Sequence, residues 1–412
     1  MKYDHSNNDK RPPEPVDRER AMLHALLTIR RLWAGGLSEF DSWGRYKLNP
    51  EPLVLHDLNG QELFYEFEVM DGNRVAGLVK TSASRTLGTP VPTIELGPRR
   101  WDHNRVTQRA QEQVKKLYSK ASILRTELVV YGYPKIGVRV DFDDPKLGRK
   151  GLIVDVSDLS VVERFGSDEL EGETAYSFYH EVVEPQAEER LRRYDLADRE
   201  LEAARSVDEK ILADSFTVRE LPEIRKALLP TVDLIALQIY SSRVIRYAPR
   251  CTPHECFALY AQQTNVFCAV ATGQMILDFY RYYYTQNQIA AAMNTGAGGT
   301  SNPDQVDGYH SLTHNCMVAI FDGSADWAEA KAEIDANRPL KSGIPGHARA
   351  CAGWMRQNIF LIGQAPKRWL RIYDPWPWNA DICNGGNIVW EDWDTVNHTN
   401  FIYLRHRTTD CS

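Results

Sequence analysis

The chain has 412 residues, 43% of them hydrophobic and 25% charged, which supplies apolar material for a sizeable core and length for more than one domain. Its 49 Lys+Arg against 56 Asp+Glu give a net charge of -7, a mixed balance that argues against a general binder of phosphate backbones. Residues 1–30 lack the uninterrupted apolar stretch of a secretory signal, and no run of about eighteen apolar residues occurs anywhere. The expectation is a cytoplasmic globular protein that meets neither nucleic acid nor membrane, with its oligomeric state open.

In chain order, apolar residues at helical spacing (Met22, Leu26, Ile29, Leu32, Trp33) predict a helix over 18–34. After Gly35-Gly36 the pattern alternates: strands are expected at 53–55, 63–70 and 73–84, with Asn59-Gly60 and Asp71-Gly72 as tight turns. Residues 103–121 read as a helix, and 126–134, 135–142 and 150–156 as further strands. A long charged helix follows at about 184–213, with Leu191, Tyr194, Leu201, Ala204 and Ile211 on one stripe. It reads as a helix packed along one face.

Composition then changes. Residues 251–412 hold 26 charged residues but all seven cysteines and seven of the ten tryptophans, so the chemistry is expected there. The division that results is 1–44, an N-terminal helical segment; 45–165, a small α+β domain; 166–249, a charged helical linker; and 250–408, the catalytic domain.

Cys268 opens an apolar helical run (Val270, Met275, Ile276, Leu277, Phe279), and a thiol at a helix N-terminus is shifted toward the thiolate. Gln262, six residues earlier, is placed to pair its side-chain NH2 with the Cys268 backbone N–H as an oxyanion hole. His347 precedes an apolar segment read as a strand at 358–362, with a second strand at 369–373 that ends at Asp374-Pro375. On neighbouring antiparallel strands Asp374 would accept from the imidazole and fix its tautomer.

These pieces resemble the papain-like cysteine peptidases, in particular their C39-like branch. The resemblance rests on Gln262-x5-Cys268 and the helix after it, IAAAMNTGAGGTSNP at 289–303, Gly346-His347-Ala348, Asp374-Pro375 and IVWEDW at 388–393. It covers about 250–408. It implies a papain-like domain whose nucleophile-bearing helix packs on an antiparallel sheet; with the smaller α+β domain and the long charged helix that the pattern places before it, the expected fold class is α+β. It also implies a peptide or protein substrate cleaved without cofactor or metal. The interval from His347 to Asp374 is long for that branch, and Asn379 is the alternative orienting residue.

Other features get plainer readings. His310, His314 and Cys316 lie in a Gly/Ser/Thr/Asn-rich stretch and are not read as a zinc site; Cys251 and Cys256 are read as independent. Seven cysteines and no visible signal lead to reduced thiols as the expectation. GAGGT at 296–300 reads as a flexible loop near the cleft. The N-terminal half is either a pro-domain covering the cleft or a recruiting module. Two rival functions stay open: amide formation through the same thioester, and a silent binding protein of the same fold.

Overall fold

The computed structural model describes residues 14–163, 170–172, 175–207, 240–246, 257–358 and 367–407. Among them the helices are α1 (Arg18–Ala34), α2 (His103–Leu117), α3 (Ala187–Val207), α4 (Cys268–Phe279), α5 (Gln286–Ala292), α6 (Asn302–Leu312) and α7 (Trp327–Asp335). The N-terminal strands are β1 (Lys47–Leu48), β2 (Leu53–Asp57), β3 (Glu62–Asp71), β4 (Arg74–Ser82), β5 (Thr93–Glu95), β6 (Ser122–Gly132), β7 (Lys135–Asp144) and β8 (Gly148–Asp155). The later strands are β9 (Tyr240–Val244), β10 (Met317–Asp322), β11 (Leu340–Ile344), β12 (His347–Gln357), β13 (Arg368–Asp374), β14 (Asn387–Asp392) and β15 (Asn400–His406).

The architecture is mixed α+β, and one sheet runs through both halves in the order β10-β15-β11-β12-β13-β14-β5-β4-β3-β2-β6-β7-β8. β2 and β6 run parallel; the other pairings are antiparallel. The seam between the halves is β14 on β5, where Trp390 faces Ile94 and Glu391 faces Thr93. β9 adds a second junction by pairing its Val244 with Gly353 and its Tyr240 with Gln357 of β12.

Local chemistry explains most boundaries. Asp17 and Asp102 cap α1 and α2 by accepting from Arg20 N and Arg105 N, each at 2.7 Å. α3 buries Leu191, Tyr194, Leu201 and Ala204, the stripe expected from the sequence, while Ile211 lies outside the described residues. Its charges are spent on α1: Arg20 pairs with Asp198 at 3.0 Å and Arg31 with Glu200 at 2.7 Å. One expectation shifts. His347 does not precede a strand at 358–362; it is the first residue of β12, which ends at Gln357, and 359–362 lie outside the described residues. The alternation of small residues in HARACAGW (347–354) concealed a strand buried on both faces.

The three largest cores among the described residues pack around the sheet. One packs α4 through Val270, Met275, Ile276 and Leu277 against Leu340, Ala350, Ile372 and Phe401. A second joins α1 (Leu27, Leu32, Trp33) to Met355, Trp369 and Trp390 of the later strands. The third joins β6, β7 and β8 (Val130, Val138, Val154) to Ile344 and Trp376. Between them lies a buried ionic knot. Arg349 on β12 donates twice to Glu391 on β14, at 2.7 and 2.9 Å, and the Tyr133 hydroxyl from the N-terminal half donates to the same carboxylate at 2.8 Å. Arg349 and Glu391 are both shut off from solvent, so removing one partner strands a charge. Arg349→Met is expected to cost about 3–5 kcal/mol, read as a lower urea midpoint for the whole chain; an unchanged midpoint would show that the pair does not hold the halves together.

Candidate active site

α4 is the helix that presents Cys268. It is apolar on almost every side, so the core takes it up whole, and Gly273 lets α5 approach through Met293 and Ile289. Cys268 is its first residue. The preceding Phe267 offers no side-chain cap, so the first-turn N–H groups, Cys268's own among them, keep their donors outside the helical ladder. The thiol therefore sits at the positive end of the helix.

β12 and β13 bring in the other two groups. Ala350 lies opposite Tyr373 in their antiparallel ladder, which sets His347 at the start of one strand beside Asp374 at the end of the other. His347 Nε2 lies 2.8 Å from Asp374 Oδ1. Asp374 also accepts from the Trp376 backbone N–H at 2.9 Å. Burial would raise the Asp374 carboxyl, but His347, Arg349 and that N–H hold it below the usual carboxylate range. An ionised carboxylate only accepts, so Nε2 carries the hydrogen and Nδ1 is the basic nitrogen. Nδ1 has no hydrogen-bond partner; besides Asp374, the Cys268 thiol is the group that favours the ring's charged form.

The two titrations are drawn toward each other. Burial pushes the Cys268 thiol up, yet the neighbouring imidazole, with Lys135 behind it, brings it below the ordinary thiol value. Burial likewise pulls His347 down, and Asp374 with the thiol more than restores it, so its value is raised. Both shifts act in the direction of proton transfer from sulfur to the imidazole. Cys351 shows the contrast: burial alone dominates it and its thiol is pushed up to about 12.

Gln262 is fully buried beside the same segment. Its backbone N–H donates to Pro375 O at 3.1 Å, and Asn379 N donates to its carbonyl at 2.9 Å. Its Nε2 donates to Thr264 O at 2.7 Å, which engages one of its two hydrogens and leaves the other. Asn379, the alternative orienting residue, is taken up in a turn: its Nδ2 donates to Asn384 O and its Oδ1 accepts from Asp381 N. The carboxylate on His347 is that of Asp374.

The sequence did not single out what surrounds these groups. Cys268 and His347 have no solvent exposure at all. Lys135 of β7 donates to the carbonyls of Gly172 and Gly346. Glu171 and Gly172 run along the Gly298–Thr300 loop and up to Gly346, the residue before His347. The GAGGT segment is thus the wall on which Glu171 lies. A lysine between apolar strand residues (Leu340-Lys341-Ser342-Gly343-Ile344) was the one signal in the sequence that could have pointed here.

The expectation of reduced thiols is corrected. Cys316 and Cys383 are disulfide-bonded, whereas Cys268 and Cys351 are free. An odd cysteine count forbids only a complete set of bridges, not individual ones, and disulfides belong to oxidising compartments. His310 is occupied structurally, its Nε2 accepting from Ala319 N at 3.0 Å. Among the described residues no group of three or more metal-ligating side chains gathers, and no helix is long and apolar enough to cross a membrane.

Residues 255–391 match the model of the Peptidase_C39 like family, the branch that the motifs resemble. No curated protein matches the chain. Two solved structures are similar to parts of it. One is a double glycine motif protease from an AMS/PCAT transporter in complex with its leader peptide, 11% identical, covering 39% of this chain and 98% of that one, with a TM-score of 0.26. The other is the peptidase domain of Streptococcus ComA, a bi-functional ABC transporter involved in quorum sensing, 13% identical, covering 37% and 99%, also with a TM-score of 0.26.

The thiol chemistry can be checked directly. When the chain is unfolded without reductant and alkylated, peptide mapping should find Cys268 and Cys351 modified and Cys316 and Cys383 blocked; labelling of the latter pair before reduction would refute their bonding.

Proposed function

We propose that this chain is a cysteine peptidase held in a latent form. The observation that carries the reading is the fully buried line of Cys268, His347 and Asp374 at the head of an uncapped helix, with thiol lowered and imidazole raised. The match of residues 255–391 to a peptidase family supports it.

In the proposed reaction the Cys268 thiolate attacks a peptide carbonyl carbon. The oxyanion is received by the Cys268 N–H and the free hydrogen of Gln262 Nε2. His347 then gives its Nδ1 proton to the leaving amine, and a thioester remains on sulfur. Water, deprotonated by the same nitrogen, releases the acid and restores the thiol. Asp374 keeps the ring in the tautomer that makes both transfers available.

Latency follows from access. The peptide of another chain cannot reach a thiol with no exposed surface, and the covering groups, Lys135, Glu171 and Gly172, come from the part of the chain before the family match. This supports a covering rather than a recruiting role for that part. The covering segment is tightly fitted: a Cβ on Gly172 would stand 2.3 Å from Gly298 O. Overpacking of that kind costs about 1–3 kcal/mol, and each ~1.4 kcal/mol shifts an equilibrium tenfold.

Iodoacetamide labelling of Cys268 across about pH 4 to 9 tests both statements. In the full chain labelling should be slow, and Gly172→Ala should speed it by about ten- to a hundredfold. In that variant the rate should rise with pH through the lowered thiol value, well before an ordinary cysteine responds. Adding His347→Ala removes the group that lowers the thiol and leaves burial, so the rise should move to higher pH. A Cys268 as inert as Cys351 in the Gly172→Ala chain would leave the silent binding protein as the better reading.

A further inference from the structure

Glu171 and Gly172, proposed above to cover the thiol, are bound in the manner of a ligand. Glu171 N donates to Thr300 O at 3.2 Å and Thr300 N donates back to Glu171 O at 3.0 Å, a two-bond antiparallel rung. One residue on, Gly172 N donates to Gly346 O at 3.3 Å, directly beside His347. A chain added along a cleft wall by main-chain bonds, with alternate side chains entering pockets, is how peptidic ligands are recognised on strand edges.

The Glu171 side chain enters a pocket that is already built. Its Oε1 is paired with the ammonium of Lys341, and its Oε2 accepts from Gln305 Nε2 at 2.8 Å. Lys341 is fully buried on β11, and its ammonium is held in place by the side-chain oxygens of Asn302, at 2.9 Å, and Asn400. Gln305 is fully buried as well, on α6. All four pocket residues belong to the part of the chain that carries Cys268, not to the part that supplies Glu171. An ammonium without solvent needs an anionic partner, and two neutral amides do not provide the charge. With the covering segment gone, the pocket calls for another carboxylate.

We propose that Lys341 and Gln305 form a subsite for an acidic side chain, so that the substrates of this cleft are chains carrying glutamate immediately before the residue placed beside His347, with Glu171-Gly172 occupying that subsite in cis. The inference rests on the peptidase reading given above. It also explains why the covering segment is not itself consumed in this arrangement: the Gly172 carbonyl accepts from Lys135, while Gln262 donates to Thr264. The carbonyl is held by a group of the covering half and not by the proposed oxyanion hole.

The test uses the full chain with Gly172→Ala to unseat the segment, and two peptides that copy it, acetyl-Leu-Glu-Gly-amide and acetyl-Leu-Gln-Gly-amide. Each is assayed for protection of Cys268 against iodoacetamide. The glutamate peptide should protect at a concentration at least about tenfold lower than its amide analogue, because a site built around a buried charge rejects a neutral replacement. Lys341→Met should abolish the difference; if that variant does not fold, Gln305→Ala, which removes one hydrogen bond and no charge, should narrow it. Equal protection by the two peptides at a reactive Cys268 would overturn the subsite and leave the peptidase reading standing. A Cys268 that does not react in the unseated chain would remove that reading and the subsite with it.

Discussion

The arrangement depends on one buried charge pair. Arg349 lies two residues from His347 on the same strand, and its guanidinium grips Glu391 across the sheet while its charge also favours the ionised form of Asp374. Glu391 in turn receives the Tyr133 hydroxyl, two residues before the lysine that holds Gly172. Strand placement for the candidate catalytic groups and placement of the covering half are thus fixed by the same carboxylate. A low-dielectric pair of this kind contributes little net stability, but it tolerates few alternative registers, since any slip leaves a buried charge alone.

That connection changes how the two halves should be regarded. Composition divides them sharply near residue 250, yet β5 completes the sheet edge at β14, β9 lies along β12, and α1 shares its core with Trp369 and Trp390. A fragment that begins near residue 246 would expose the β14 edge and empty that core. The N-terminal half is therefore part of the sheet and not an addition laid over a finished domain. On the latent-peptidase reading, release would require only Glu171 and Gly172 to leave their places, a local opening with a smaller free energy than separation of the halves.

How much of this was legible follows from the range of the interactions. The hairpins at Asn59-Gly60 and Asp71-Gly72 and the capped helix after Asp102 are set by neighbours a few residues apart, and their positions came out of the pattern. Cys268 at a helix start and Asp374 at a strand end are also local statements, and the chain order of motifs linked them to His347. What was hidden is long-range. β12 was missed at its start because HARACAGW alternates alanine with other residues and offers no large apolar face, and its strand character comes from β11, β9 and β13 on either side. The partnership of Lys341 with Glu171 spans 170 positions, and the disulfide state of Cys316 and Cys383 depends on approach in space. Apart from a lysine set within the strand at 340–344, nothing in the local sequence announces either.

The charges at the cleft tie access to reactivity. Around the thiol stand two buried ammonium groups, Lys135 and Lys341, and one carboxylate, Glu171. Lys135 favours the thiolate, and Glu171 opposes it by like-charge repulsion. The carboxylate that occupies the Lys341 pocket thus also opposes ionisation of the thiol. On the latent-peptidase reading, withdrawal of Glu171 would remove that repulsion while Lys341 stays on β11. A substrate glutamate entering the subsite would restore the neutralising charge only once the peptide is in place. On the latent-peptidase reading, opening the cleft and easing the thiol toward its ionised form would go together, through the same side chain.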